Sequence, residues 1–186
     1  MQVLYNKNYH GEEDQVRKTI FEERLNRIVQ HNLEYDLGIH SYYRGINEFS
    51  DMTRQERLKY KKGLIPSDIK EERNLYEYSG DIELPASLDW RTKGYVTENG
   101  PCGFNNATIG ATCKNYKIIA KNENILQEAL VKIGPISIGI NCLDSFMDYK
   151  GGVYNDPECE PITLDHAMLL VGYGTDNGKD YWLVKN

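Results

Sequence analysis

Long apolar runs are missing from this chain, and their absence excludes a membrane-spanning helix, which needs about 20 consecutive apolar residues. Positive charge is also scarce. The 22 Lys and Arg face 28 Asp and Glu, a formal net charge of −6, so a nucleic-acid or anionic-membrane partner has no electrostatic support. The four cysteines, Cys102, Cys113, Cys142 and Cys159, lack the close spacing of a zinc site, and no metal is predicted. Their even number suits disulfides in an oxidising compartment, but spacing assigns no pairs. The N-terminal residues Met1-Gln2-Val3-Leu4-Tyr5-Asn6-Lys7-Asn8 lack the apolar core of a secretory signal, so the chain as written is expected in the cytosol. A glycosylation sequon at Asn106-Ala107-Thr108 has meaning only after secretion. With 40% hydrophobic and 27% charged residues, the composition is that of an ordinary globular protein, and 186 residues hold one domain or two small ones.

Proline and glycine are absent from Glu12 to about Leu37, where Glu, Arg, Leu and Gln abound. This composition predicts a helix. Val16, Ile20, Phe21, Leu25, Ile28 and Val29 recur at three- and four-residue steps and predict one apolar stripe. Glu13 precedes Arg17 by four, the favourable order for a surface ion pair. Gly38 is placed to end the helix in a left-handed cap.

Within this helix Glu13, Arg17, Phe21, Ile28 and Asn32 fill the interrupted helical pattern known as ERFNIN, with Arg24 where the pattern has its first asparagine. Gly45-Ile46-Asn47-Glu48-Phe49-Ser50-Asp51 then supplies Gly45, Asn47, Phe49 and Asp51, the four fixed positions of the companion GNFD motif. In order and at this separation the two motifs resemble the I29-type inhibitory prodomain of papain-family, cathepsin L-like peptidases. The resemblance implies a helical globule over residues 1–62 that lies beside the protease. It also implies a polar connector over 63–83 that runs through the cleft against the substrate direction and is open to processing. If Glu13 and Asp51 are paired in the fold, acid is expected to protonate them and loosen the globule.

The C-terminal half carries the same resemblance. Leu84-Pro85-Ala86-Ser87-Leu88-Asp89-Trp90-Arg91, continuing to Thr97, is similar to the start of the mature enzyme. Leu164-Asp165-His166-Ala167-Met168 and Tyr181-Trp182-Leu183-Val184-Lys185-Asn186 are similar to the segments that carry its catalytic histidine and asparagine. His166 and Asn186 therefore stand in those catalytic positions. The nucleophile has no counterpart. The run Glu98-Asn99-Gly100-Pro101-Cys102-Gly103-Phe104-Asn105 admits two registers. In one, Asn105 takes the place of the nucleophilic cysteine and Asn99 that of the oxyanion-hole glutamine. In the other, which the downstream sequence continues without a break, a block between Thr97 and Glu98 is absent. Asparagine has no ionisable nucleophilic form, whereas the chemistry needs a thiolate whose pKa is depressed by a helix N-terminus and an imidazolium. Cys102, between Pro101 and Gly103, has no predicted helix behind it.

Beyond the junction, Asn124 and Gln127 predict a helix start. Ile125, Leu126, Ala129, Leu130 and Ile133 give an apolar face, and Gly134-Pro135 a stop. Ile136 to Ile140 alternates as a strand, and Met168–Val171 and Tyr181–Val184 predict a hairpin around Asp176-Asn177-Gly178. A two-residue turn would pair Asn186 with Leu169. A longer loop, which the resemblance favours, would set Asn186 opposite His166, where its carboxamide orients the imidazole. As the last residue Asn186 is expected to fray. Strands deprived of a lobe are expected to expose Trp182 and Leu183 and to leave residues 84–186 poorly folded.

The expected fold class is α+β: the α-helical prodomain at 1–62, the connector at 63–83, and an incomplete papain-like domain at 84–186, broken after Thr97 and mainly the β-rich right lobe. By family, the implied activity is cofactor-free hydrolysis of peptide bonds in peptides or proteins, in lysosomes or after secretion. For this chain the readings are an inactive proenzyme form, a weak peptidase using Cys102, or a prodomain that inhibits active cathepsin L-like proteases in trans.

Overall fold

A computed structural model describes residues 4–60, 74–94, 96, 116–160 and 162–186. The junction after Thr97, Cys102, Cys113, Asn99, Asn105, the Asn106 sequon and residues 63–73 of the connector lie outside the described residues. The chain forms two compact units, one from residues within 1–66 and 139–167, the other from residues within 67–138 and 168–186.

Helix α1 (Glu12–Asp36) opens the first unit. Glu12, Glu13 and Asp14 lie in its first turn, where negative charge favours the helix dipole. It closes in the double hydrogen bond of a Schellman cap, from Gly38 N to Tyr35 O at 2.8 Å and Ile39 N to Glu34 O at 2.9 Å. That cap places Gly38 at φ 77°, a conformation costly for residues with a Cβ. The buried face differs from the expected stripe. Val16 and Val29 are about half exposed, at 55% and 49%, while Arg24, Ile28 and His31 are buried. The face is rotated toward the motif positions because their polar ends find partners inside the unit. After α1 come β1 (Tyr42–Arg44) and α2 (Arg54–Tyr60). Helix α2 starts in a capping box, with Thr53 N donating to Glu56 Oε2 at 2.8 Å and Glu56 N to Thr53 Oγ1 at 3.3 Å.

The second unit includes β2 (Leu88–Asp89), a short 3-10 helix (Trp90–Lys93) and α3 (Glu123–Ile133). The cap of α3 is Asn122 rather than Asn124. The Asn122 side chain accepts from the backbone N–H of Asn124 and Ile125, so the helix begins earlier than the expected box. Strand β3 (Ile136–Ile140) follows; helix α4 (Asp144–Met147) and strand β4 (Tyr149–Gly152) belong to the first unit, and β5 (His166–Asp176) and β6 (Lys179–Lys185) come after them. Strands β2 and β3 both hydrogen-bond to β5, and β6 pairs with β5 antiparallel.

The β5–β6 connection is the two-residue turn, with Asn177 at φ 50° and Gly178 at φ 75°, as a type I′ hairpin requires. The longer loop does not form. A bulge between Leu170 and Gly172 slips the register, so Leu169 faces Lys185, and Asn186 falls one residue past that pair rather than on Leu169.

The core of this unit is Leu130, Leu170 and Tyr173, flanked by Leu88, Trp90, Leu126, Ile136, Trp182 and others. Trp182 packs edge-on against Tyr173 at 5.9 Å, and Leu183 is half-buried. The expected exposure is therefore corrected: Trp182 packs on the core that includes Leu130 of α3, and Leu183 is half-buried in the strand paired with β5. Trp90 Nε1 donates to Leu130 O at 3.0 Å, and Tyr173 Oη to Pro85 O at 2.8 Å. The described end of the connector is not a free strand. Glu128, a buried carboxylate on α3, accepts from Tyr76 Oη at 3.1 Å, Ser79 N at 3.1 Å and Gly80 N at 2.8 Å. Burial raises the Glu128 pKa, but these backbone and side-chain donors outweigh it and hold the group at about 2.

Candidate functional site

The motif residues of the N-terminal half converge in the first unit. Arg17 reaches Glu13 at 3.4 Å, as its spacing predicted. Its principal partner is Glu56 of α2, in a bidentate pair at 2.6 and 2.7 Å. Asp51 is buried and ion-paired with Lys7, and Arg17 Nη1 also donates to Asp51 O at 3.3 Å. Glu13 and Asp51 thus each have a basic partner, and Glu56 joins them as a carboxylate that sequence spacing missed. Thr53-Arg54-Gln55-Glu56, a capping-box pattern, was the available signal. Asn32 exchanges two hydrogen bonds with the Arg44 backbone, each 2.9 Å, and so fixes β1 against α1. Ile28 is buried, Phe21 half-buried, and Phe49 packs tilted against Tyr60 with centroids 4.9 Å apart.

The same face receives residues 139–167. Strand β1 pairs antiparallel with β4, with Tyr42 opposite Gly152 and Tyr43 opposite Gly151. Gly152 lies at φ +90°, and a Cβ there would stand 2.5 Å from Ser41 O, so the close approach of the two strands requires glycine. Gly45 N donates to Asp148 O at 2.8 Å and Asn47 Nδ2 to Met147 O at 2.6 Å. Two GNFD positions are therefore spent on the α4–β4 corner. Arg24, the departure from the ERFNIN pattern, is buried with Nη1 3.2 Å from Asp148 Oδ2. Arg57, fully buried, donates from Nη2 to Asp148 Oδ1 at 2.9 Å. Tyr42, Phe146, Tyr149 and Tyr154 complete the contact as an aromatic cluster, with Tyr42 and Tyr154 centroids 4.8 Å apart. Strand β1 and the Arg24 and Arg57 ion pairs had no expectation from sequence, because their partners lie about 90 to 125 residues away.

His166 begins β5, half-buried. It follows Asp165, whose N–H donates to Ile140 O at 3.0 Å and whose Oδ1 accepts from Cys142 N at 2.8 Å. These bonds fix where β5 starts. Asn186 is exposed after β6. The two residues belong to different units. Among the described residues no disulfide is formed, with Cys142 buried and Cys159 exposed. No group of three or more His, Cys, Asp or Glu among them is placed to hold a metal ion, and no helix is long and apolar enough to cross a membrane.

Two family models match the chain. One, for the papain family of cysteine proteases, covers residues 76–186, and one for the cathepsin propeptide inhibitor domain covers residues 2–57. The chain is similar to cathepsin S of Mus musculus, 31% identical over 94% of this chain and 75% of the relative. It is also similar to a cathepsin L-like proteinase of Fasciola hepatica, 28% identical over 98% and 81%. The alignment with the mouse protein runs over 258 positions, although the chain has 186 residues, so that relative carries sequence with no counterpart here. Among solved structures, a digestive procathepsin L2 proteinase from Tenebrio molitor larval midgut is similar at 25% identity, with a TM-score of 0.87 over 100% of this chain and 87% of the other.

Proposed function

Because the chain belongs to the papain family of cysteine proteases, as a cathepsin L-like proenzyme homologue with an α+β fold, we propose that it keeps the propeptide–peptidase pairing of that family without the catalytic step. The family acts on peptide or protein substrates. The observation that carries the reading is the seating of residues 4–60 on residues 139–167, through the β1–β4 pairing and the two guanidiniums on Asp148. In this reading residues 1–62 are the inhibitory prodomain, 63–83 the connector and 84–186 the incomplete peptidase domain, broken after Thr97. The compartment is lysosomal or extracellular, as for the family.

The catalytic logic has three parts. A thiolate attacks the scissile carbonyl, an imidazole carries the proton, and an asparagine orients the imidazole. His166 and Asn186 occupy the second and third positions. Among the described residues the first has no occupant. Cys142 is buried, and burial together with Asp156 pushes the Cys159 thiol above its ordinary pKa, opposite to what a nucleophile needs. Without a thiolate, His166 and Asn186 hold no acyl-enzyme and the cycle cannot start.

The test is turnover of a fluorogenic peptide by the purified full chain at mildly acid pH. The expected result is a rate no higher than buffer. Turnover abolished by Cys102→Ser would overturn the reading and assign the chemistry to Cys102. A second reading, inhibition of active cathepsin L-like proteases in trans, is favoured by the engagement of Arg17, Ile28, Asn32, Asn47 and Asp51 in one face. Adding the full chain at micromolar concentration to such an enzyme tests it: lost activity supports it, and an unchanged rate ends it.

A further inference from the structure

We propose that Arg24, Arg57 and Asp148 form a charge code that matches this prodomain to a peptidase surface with a carboxylate at the 148 position and rejects surfaces with an apolar or neutral side chain there. The proposal rests on the reading of residues 4–60 as a prodomain seated on a peptidase segment, and adds which partner that prodomain accepts.

The contacts around the corner divide into two kinds. The β1–β4 ladder, Gly45 N on Asp148 O and Asn47 Nδ2 on Met147 O all use the main chain of residues 147–152. They accept almost any side chain at position 148 and supply affinity without discrimination. The second kind reads one side chain. Arg24 stands where the ERFNIN pattern has the shorter, uncharged asparagine. Its Nε and Nη2 are anchored on Ser50 O at 3.1 Å and Met52 O at 3.4 Å, which aims Nη1 at Asp148. Arg57 Nη2 takes the other Asp148 oxygen and also bonds Asp144 O at 3.1 Å. The Arg57 side chain is 0% exposed, and its Nε and Nη1 have no hydrogen-bond partner among the described residues. Asp148 therefore divides its carboxylate between two buried guanidiniums, that of Arg57 with no exposure and that of Arg24 with 7%.

Such a cluster contributes little net stability beyond what apolar residues of the same shape would give, but losing one member leaves uncompensated charge in the interior. This asymmetry is what a selectivity device requires: the penalty falls on the wrong partner. Here the wrong partner is a papain-like surface without an acid at 148, which would bury both guanidiniums unpaired.

Three full-length proteins test it: the wild type, Asp148→Leu, and the triple variant Arg24→Met, Arg57→Met, Asp148→Leu. Both tryptophans, Trp90 and Trp182, lie in the second unit, so their emission reports that unit alone. Hydrogen exchange over α1 and β1, with limited proteolysis of the prodomain, reports the first. Asp148→Leu is expected to speed prodomain proteolysis at least about tenfold and strip exchange protection from α1 and β1, with tryptophan emission unchanged. The triple variant is expected to return within about threefold of wild type. Wild-type protection in Asp148→Leu would overturn the proposal. So would a triple variant as open as the single one, since the damage would then lie in the α4–β4 corner rather than in the charges. Peptidase turnover enters neither readout, so its appearance would overturn the proposed function and leave this pairing standing.

Discussion

Arg17 and Glu56 set the acid response of the prodomain face. The bidentate hydrogen bond from Arg17 holds the Glu56 carboxyl at about 2, below its ordinary 4.5. A carboxylate depressed in the fold stabilises it fully above the ordinary value, and that contribution is lost only as the pH falls through about 2. Mild acidity near pH 5 therefore leaves this pair closed. Glu56→Gln is expected to cost the first unit about 2 kcal/mol at neutral pH, measured by urea unfolding, and to flatten its stability between pH 4 and 2. An unchanged profile would count against the pair. The Glu13–Arg17 contact was legible in the sequence because a helix brings positions four apart together. The stronger Arg17–Glu56 pair was not, because its partners are 39 residues apart and only the fold joins them. Arg24 was legible as a departure, but its meaning depended on Asp148.

Helix α1 carries a second acid-sensitive group, which acts in the same direction at higher pH. His31 is buried and stacks on His40 at 4.1 Å, its Nε2 3.0 Å from Tyr42 O. Burial, and then the Arg44 charge, lower its pKa from the ordinary 6.5, while the Tyr42 carbonyl and Glu34 oppose the shift. A histidine depressed in the fold binds fewer protons than in the unfolded chain just below 6.5. Its contribution is therefore whole above that pH and declines as the pH falls. The first unit is expected to lose stability from pH 7 to pH 5, followed by exchange protection of α1, and His31→Asn should lessen that slope. The existence and ends of α1 were legible from composition and Gly38. Its inward face was not, since periodicity weighs apolar residues while this face buries Arg24 and His31. Strand β1, three residues long, offers too little pattern to detect without its partner β4.

At the scale of the molecule, the second unit is a sheet around β5 with α3 on its core. Leu130 is fully buried there, and Leu130→Ala is expected to cost about 3 kcal/mol, read as an earlier thermal transition in tryptophan emission. A broad transition already present in the wild type would instead support the poorly folded half expected from sequence. The hairpin was legible through Asp176-Asn177-Gly178 and the strand alternation. Its register was not, because the bulge at Leu170–Gly172 leaves no sequence mark. The family was legible through dispersed motifs, which survive where contiguous similarity does not. A paired proenzyme homologue without its nucleophile requires that Thr97 be joined directly to Glu98. Mass spectrometry of the natural protein after trypsin tests that join, because no Lys or Arg lies between Gly94 and Lys114. The expected result is one peptide spanning Gly94 to Lys114 with that junction intact. Peptides carrying an inserted block with a further cysteine between Thr97 and Glu98 would contradict it and restore an ordinary cysteine peptidase.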